Sequence, residues 1–316
     1  MPLRTHTQES LMRVVPQAAV VIATVVFRAA IASAQVLAPQ NPSPMAEHTR
    51  AHGRIAATEL HGIKRTFAGP LGKPVELFIT AKSHSTHGLK LVVHFLGAPF
   101  VAESAVAQLG ADYAVAVVNI GSGSGIYDRT FTEPAAFDSL LAGIQREATT
   151  ALGHVVVFRT ITLSGFSAGH GAIRAILRDS THFANVNAVL LLDGMHTSYV
   201  PEGTVIEKGG TLDERNLEAF VRFGRAAMHG EKRFVVTHSE IFPGTFASTT
   251  ETADYLALTL GVSRVPVLRW GPGGMQQLSD AKRGRFQLLG FAGNTAPDHV
   301  DQLHGMPTFL RLLERR

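Results

Sequence analysis

The sequence predicts an α/β fold: a mostly parallel central sheet with an N-terminal hairpin and helices on both faces. Three observations carry this expectation. Short apolar runs, among them Leu89–Leu96 (LKLVVHFL), Ala114–Ile120 (AVAVVNI) and Ala188–Leu192 (AVLLL), have the length and composition of strands buried on both faces. Segments of helical spacing separate those runs. A pair of strand-like runs around Gly69-Pro70-Leu71-Gly72 precedes them. Strands that alternate with helices pair in parallel, because each crossover returns the chain to the end of the sheet at which the strand before it began.

Taken in order, Lys64–Phe67 and Val75–Thr80 flank the Gly-Pro turn and form the hairpin. Leu89–Leu96 is a buried strand that ends in Gly97-Ala98-Pro99, and Val101–Leu109 is a short helix. Ala114–Ile120 is the next strand, followed by Gly121-Ser122-Gly123-Ser124-Gly125, which reads as a flexible loop. Pro134–Leu152 places Phe137, Leu140, Leu141 and Ile144 on one helical face. Thr160–Leu163 is a strand, Ala168–Arg178 a helix and Ala188–Leu192 a strand. Asp213–His229 is amphipathic, and Phe234–Thr237 is a strand. Ser248-Thr249-Thr250-Glu251 is a capping box that opens a helix to Leu260. Val265–Trp270 and Arg285–Phe291 are the last strands, and a helix runs from about Val300 to Leu313.

The chain divides into three parts. Ala18–Phe27 is an apolar run preceded by Arg13 and followed by Ala32-Ser33-Ala34, an order that reads as a secretory signal over 1–34. The run is short for a membrane span, and an uncleaved anchor is the other reading. Residues 35–62 are rich in proline, alanine and polar side chains and read as a flexible tether. Residues 63–316 form the α/β domain. A secreted or periplasmic location follows, with no stable membrane span once the signal is cleaved.

Composition narrows the chemistry. Cysteine is absent, which excludes a disulfide scaffold, a thiolate metal site and a cysteine nucleophile. The formal charge of +4, from 29 basic and 25 acidic residues, gives no electrostatic case for nucleic acid. Gly121–Gly125 lacks the spacing and the lysine of a phosphate loop. His94, His170, His196 and His238 show no H-x-x-x-H or H-E-x-x-H spacing, so no metal is expected. No organic cofactor is expected either, and the oligomeric state is open.

The sharpest signal is Gly165-Phe166-Ser167-Ala168-Gly169, a G-x-S-x-G with strand residues before it and a helix after. A serine at such a bend needs neighbours without side chains, because a Cβ on either side would meet backbone. Its hydroxyl would stand over the helix N-terminus, where the Ala168 amide can hold a developing oxyanion.

From about Lys64 to Leu313 the chain resembles the α/β-hydrolase superfamily, through its opening hairpin, its alternation of strands and helices and its central serine elbow. The resemblance implies a serine esterase or lipase-like activity with the catalytic order Ser…acid…His. Ser167 is then the nucleophile. His299, after the last strand, is the base, with His304 behind it. Two acids fit: Asp193, at the end of Ala188–Leu192, and Glu240, after the next strand, where the family more usually carries it. The stretch His94-Phe95-Leu96-Gly97-Ala98-Pro99 resembles the family's H-G-x-P, with Leu96 in place of the histidine. Ala98 and Ala168 are then the two oxyanion amides. Asp193–Thr211 and Phe242–Ala247 are expected to wall the site, with Met195, Tyr199, Phe242 and Phe246 as an apolar lining.

The substrate expected is a small-molecule or polymeric carboxylic ester. An amidase or peptidase, an acyltransferase, and a non-catalytic envelope binding protein that retains the fold are the alternatives.

Overall fold

A computed structural model describes residues 51–80 and 88–315. The signal expected over 1–34 and the first part of the tether, 35–50, lie outside the described residues.

The strands are β1 (Gly62–Ala68), β2 (Pro74–Thr80), β3 (Leu89–Phe95), β4 (Tyr113–Val118), β5 (Phe158–Phe166), β6 (Val186–Leu192), β7 (Tyr199–Val200), β8 (Thr211–Leu212), β9 (Arg233–His238), β10 (Val265–Trp270), β11 (Gln276–Arg283) and β12 (Phe286–Phe291). The helices are α1 (Pro99–Ala107), α2 (Ser124–Thr132), α3 (Pro134–Leu152), α4 (His170–Arg178), α5 (Ser180–Asn185), α6 (Glu218–Met228), α7 (Thr249–Leu260), α8 (Ala296–His304) and α9 (Met306–Glu314). Ten strands form one sheet in the order β1-β2-β4-β3-β5-β6-β9-β12-β11-β10. The six from β4 to β12 are parallel. Antiparallel pairs close the two ends. The α/β architecture expected from the alternation is therefore present, and its strand order with a serine elbow after β5 is that of the α/β-hydrolase fold.

Alternation along each central strand supplies two cores. On β3, Leu91, Val93 and Phe95 face the layer built by α3, α4, α6 and α7, and Val92 faces the opposite layer with α1 and α9. On β4 the same split puts Ala114, Ala116 and Val118 on one side and Val115 and Val117 on the other. Both faces are covered, which is why these strands are apolar throughout rather than at every second residue. Phe309 of α9 meets Phe291 of β12 edge-on with centroids 5.6 Å apart, a geometry worth about 0.5–1.5 kcal/mol beyond area burial.

Four local differences from the sequence expectations have physical causes. The segment QQLSDAKR forms β11, which pairs antiparallel with β10 and β12 at the sheet's end. A strand there has partners on both sides but less burial, so it carries no apolar run. The serine–glycine loop after β4 ends at Gly123, and Ser124 starts α2. Gly171 permits this, since a Cβ on it would lie 2.3 Å from the Ser124 carbonyl oxygen. The single C-terminal helix expected is two, α8 and α9, divided at Gly305 with Pro307 in the first turn of the second. Finally, residues 51–61 have no regular secondary structure but are docked. The Gly53 amide bonds the Gly273 carbonyl at 3.0 Å, Arg54 Nε donates to Asp301 at 3.0 Å, and the Ile55 amide donates to His304 Nδ1 at 3.0 Å.

Candidate active site

Ser167 follows the last residue of β5 and has φ +48°, in the left-handed region that a side chain makes costly. The flanking glycines make the bend possible. A Cβ on Gly169 would lie 2.1 Å from the Phe95 carbonyl oxygen, and one on Gly165 would lie 3.0 Å from Gly169 and Ile173. The elbow is thus pressed against the end of β3, and α4 leaves directly from it. Ser167 is half-buried and, with Ala168, lines a cleft of about 400 Å³.

Asp193 ends β6 and also has a left-handed backbone, φ +43°. The next residue, Gly194, lies against the elbow: a Cβ there would be 2.5 Å from the Ser167 carbonyl oxygen and 2.7 Å from its nitrogen. Asp193 is 1% exposed. Its carboxylate accepts four hydrogen bonds: from the Ser239 amide (2.8 Å), the Ser239 hydroxyl (2.6 Å), the Thr249 hydroxyl (2.6 Å) and His299 Nδ1 (2.7 Å). Burial by itself would raise the carboxyl pKa. The bonds from His299, Ser239 and Thr249 outweigh it and hold the group well below the usual carboxylate range.

His299 stands in the first half of α8, whose start is fixed by a second capping box between Thr295 and Asp298. Its Nδ1 faces a carboxylate, which only accepts, so Nδ1 carries the proton and Nε2 is the free acceptor. Its ring packs, tilted by 33°, on Phe166, the residue before the elbow serine, with centroids 4.5 Å apart. The last parallel strand therefore delivers an imidazole to the elbow, oriented by the acid from β6.

Glu240 is not the partner of that imidazole. It is exposed, its amide donates to the Gly293 carbonyl at 2.9 Å, and its carboxylate accepts from the Gly293 amide at 3.1 Å. It clasps the loop ahead of α8, and the residue after β9 that reaches the acid is Ser239. His304 is also elsewhere, accepting from the Ile55 amide and packed beside Phe100.

Ala98 is the N-cap of α1, with the extended backbone φ −71°, ψ 122°. Its loop is held by Asn119, whose side chain accepts from the Gly97 amide and donates to the Gly97 carbonyl, both at 3.0 Å. Beneath it, His94 is fully buried, with Nδ1 3.0 Å from the Ser164 hydroxyl. Burial lowers its pKa to about 4, so the ring is neutral. Ala98 lies on the loop that follows β3, while Ala168 lines the cleft itself.

The wall is more polar than the sequence suggests. Met195 and Tyr199 turn into the core, and the residues between them, His196, Thr197 and Ser198, line the cleft with Phe246. Ser122, Ser124, His170, Arg174 and Asn216 complete the polar lining, with Asn216 bonded to Thr197 and the His170 ring against His196. Asn119, Ser239, Thr249 and Gly194 went unrecognised in the sequence because nothing local marks them; each acts on a residue far away along the chain.

Among the described residues, His52, Asp298 and Asp301 bring possible metal-ligand atoms within 4.8 Å of one another. Arg54 pairs with Asp301 and Thr295 donates to Asp298, so cationic and hydroxyl partners already serve those carboxylates. No helix of the described residues is long and apolar enough to cross a membrane.

No family model matches the chain. A search of curated proteins also finds no match. Similar solved structures include a thermostable esterase, at 16% identity and TM-score 0.43 over 79% of this chain and 60% of the other. An esterase from the Planctomycetes species Thermogutta terrifontis is 16% identical, at TM-score 0.45 over 80% of this chain and 91% of its own. The feruloyl esterase module from Clostridium thermocellum is 13% identical, at TM-score 0.45 over 88% and 96%. The chemistry of this chain is read from its own site.

Proposed function

We propose that this protein is a serine hydrolase that cleaves carboxylic esters through an acyl-enzyme on Ser167. The observation that carries the reading is the Asp193–His299 hydrogen bond at 2.7 Å, with the His299 ring packed on Phe166 beside the strained serine. His299 Nε2 takes the Ser167 proton as the hydroxyl attacks the carbonyl carbon. Asp193 holds the tautomer that makes this possible and stabilises the imidazolium that forms. The amides of Ala168 and Ala98 hold the oxyanion. The imidazolium then protonates the leaving alcohol, and water activated by the same imidazole releases the acid.

Ser167→Ala removes the nucleophile and no packing of consequence, since the side chain is half-buried at the cleft wall. The variant is expected to melt with the wild type, to lose turnover of 4-nitrophenyl butyrate and to resist a fluorophosphonate label that wild type takes up at Ser167. Retained turnover in that variant excludes the mechanism. Anilide and acyl-acceptor substrates, run beside the ester, separate an amidase or acyltransferase from an esterase. We further propose export through the segment at 1–34, tested by the N-terminal sequence of the protein recovered outside the cytoplasm.

A further inference from the structure

The cleft beside Ser167 holds one charged side chain among its lining residues, Arg174. Its side chain is only 11% exposed. Nε donates to Asp128 Oδ2 at 2.6 Å, and among the described residues the two Nη groups have no hydrogen-bond acceptor. Among the described residues, no acidic side chain lines the cleft. The imidazoles beside Arg174 add no charge. Burial, with the nearby imidazole and guanidinium, lowers the pKa of His170 to about 3, and burial also lowers that of His196. Asp128 is shared between Arg174 and Arg178, at 2.6 and 3.2 Å. Asp213, a further carboxylate that feels Arg174, is held by the Nε/Nη2 edge of Arg215, both bonds at 2.9 Å. Arg174 thus shares its one hydrogen-bonded carboxylate with a second guanidinium.

We propose that this cleft binds a monoanionic arm of the substrate, a carboxylate that takes the Nη edge of Arg174, so that the preferred esters carry a free carboxyl group some distance from the scissile bond. A buried arginine with a free planar edge matches a carboxylate in two parallel hydrogen bonds. The neutral polar side chains around it, Asn216 and Thr197 among them, solvate such a group without competing for it. The inference deepens the reading of Ser167 as an acylated nucleophile and names what its cleft selects.

The test compares 4-nitrophenyl hydrogen adipate, an anion at neutral pH, with 4-nitrophenyl hexanoate, its neutral match in length. Wild type is expected to favour the anion by about ten- to a hundred-fold in kcat/KM, the range for hydrogen bonds to a charged group. In Arg174→Met that ratio falls to near one, and in Arg174→Lys part of it survives, in proteins whose melting shows them folded. A neutral or reversed preference in wild type overturns the proposal and leaves the hydrolase standing. So does a ratio that Arg174→Met does not move. A second arm needs no turnover: the Ser167→Ala protein is titrated calorimetrically with monomethyl adipate and dimethyl adipate. Tighter binding of the monoanion, in a protein whose wild type hydrolyses neither ester, supports the cleft and counts against the serine chemistry. Equal binding of the two overturns the cleft.

Discussion

Asp193→Asn separates the two roles of that carboxylate more sharply than any other single change. Asp193 Oδ1 accepts from the Ser239 amide and the Thr249 hydroxyl, and Oδ2 accepts from the Ser239 hydroxyl and His299 Nδ1. An asparagine has one acceptor oxygen. The oxygen stays toward the Ser239 amide, because a backbone N–H cannot reverse, so the new NH₂ points at the Ser239 hydroxyl and at His299 Nδ1. A hydroxyl can rotate and accept. An imidazole can accept only by moving its proton to Nε2, and that tautomer cannot take a proton from Ser167. The catalytic loss expected for a wrong tautomer is about 10³–10⁴ in kcat. Losing one hydrogen bond to the buried carboxylate costs about 1.5–3 kcal/mol, and for a domain of this size that lowers the melting temperature by roughly 3–12 °C. Stopped-flow or plate assay of 4-nitrophenyl butyrate, with circular-dichroism melting, reads both quantities. Glu240→Gln is the comparison: its side-chain oxygen still accepts from Gly293, and kcat is expected within about twofold of wild type. An Asp193→Asn enzyme within tenfold of wild type, or a Glu240→Gln enzyme with the larger loss, refutes the assignment.

Two further outcomes follow from the packing. Gly194→Ala places a methyl 2.5–2.7 Å from the Ser167 backbone, so the elbow must shift; kcat is expected to fall at least about tenfold, as misplacement of reacting groups by a fraction of an ångström demands, and unchanged kcat would show that the Asp193–Gly194 turn does not bear on the serine. His94, His170 and His238 are buried with pKa values lowered to about 4, 3 and 4, chiefly by burial. Each is neutral in the fold but takes a proton in the unfolded chain below about 6.5. The unfolded state therefore binds more protons as pH falls, and each ring removes about 1.4 kcal/mol of stability per pH unit between about 6.5 and its folded value. Urea midpoints at pH 7, 6 and 5 should fall steeply, and a flat series would show that these rings are protonated in the fold.

Much of this was legible in the sequence, for a physical reason that also marks where legibility ends. Strands buried on both faces must be apolar along their whole length, so β3, β4 and β6 announce themselves. The elbow is legible because its two glycines stand at fixed positions two residues either side of the serine, even though the backbone that Gly169 makes room for, at Phe95, lies far off along the chain. Asp193 is legible as one of two acids, because a carboxylate at the end of a buried strand needs partners; which acid it is depends on where β9 delivers Ser239, a tertiary fact. Helix α2 hides behind glycines that belong to its approach, and β11 hides because a peripheral strand has no need of an apolar run. Phe246 reaches the cleft as expected, but Met195 and Tyr199 do not: the segment after β6 has no regular secondary structure, and its polar residues His196, Thr197 and Ser198 line the opening while Met195 and Tyr199 are buried.

The docked stretch ahead of β1 has a practical side. The boundary suggested by composition, at residue 63, would trim away Arg54 and Ile55, and with them the ties to Asp301 and His304 on α8. That short helix also carries His299, two positions before Asp301. A recombinant protein started at the first strand would keep its sheet and its elbow while unfastening the seat of the imidazole, and a weak or silent enzyme made that way would say more about the cut than about the chemistry.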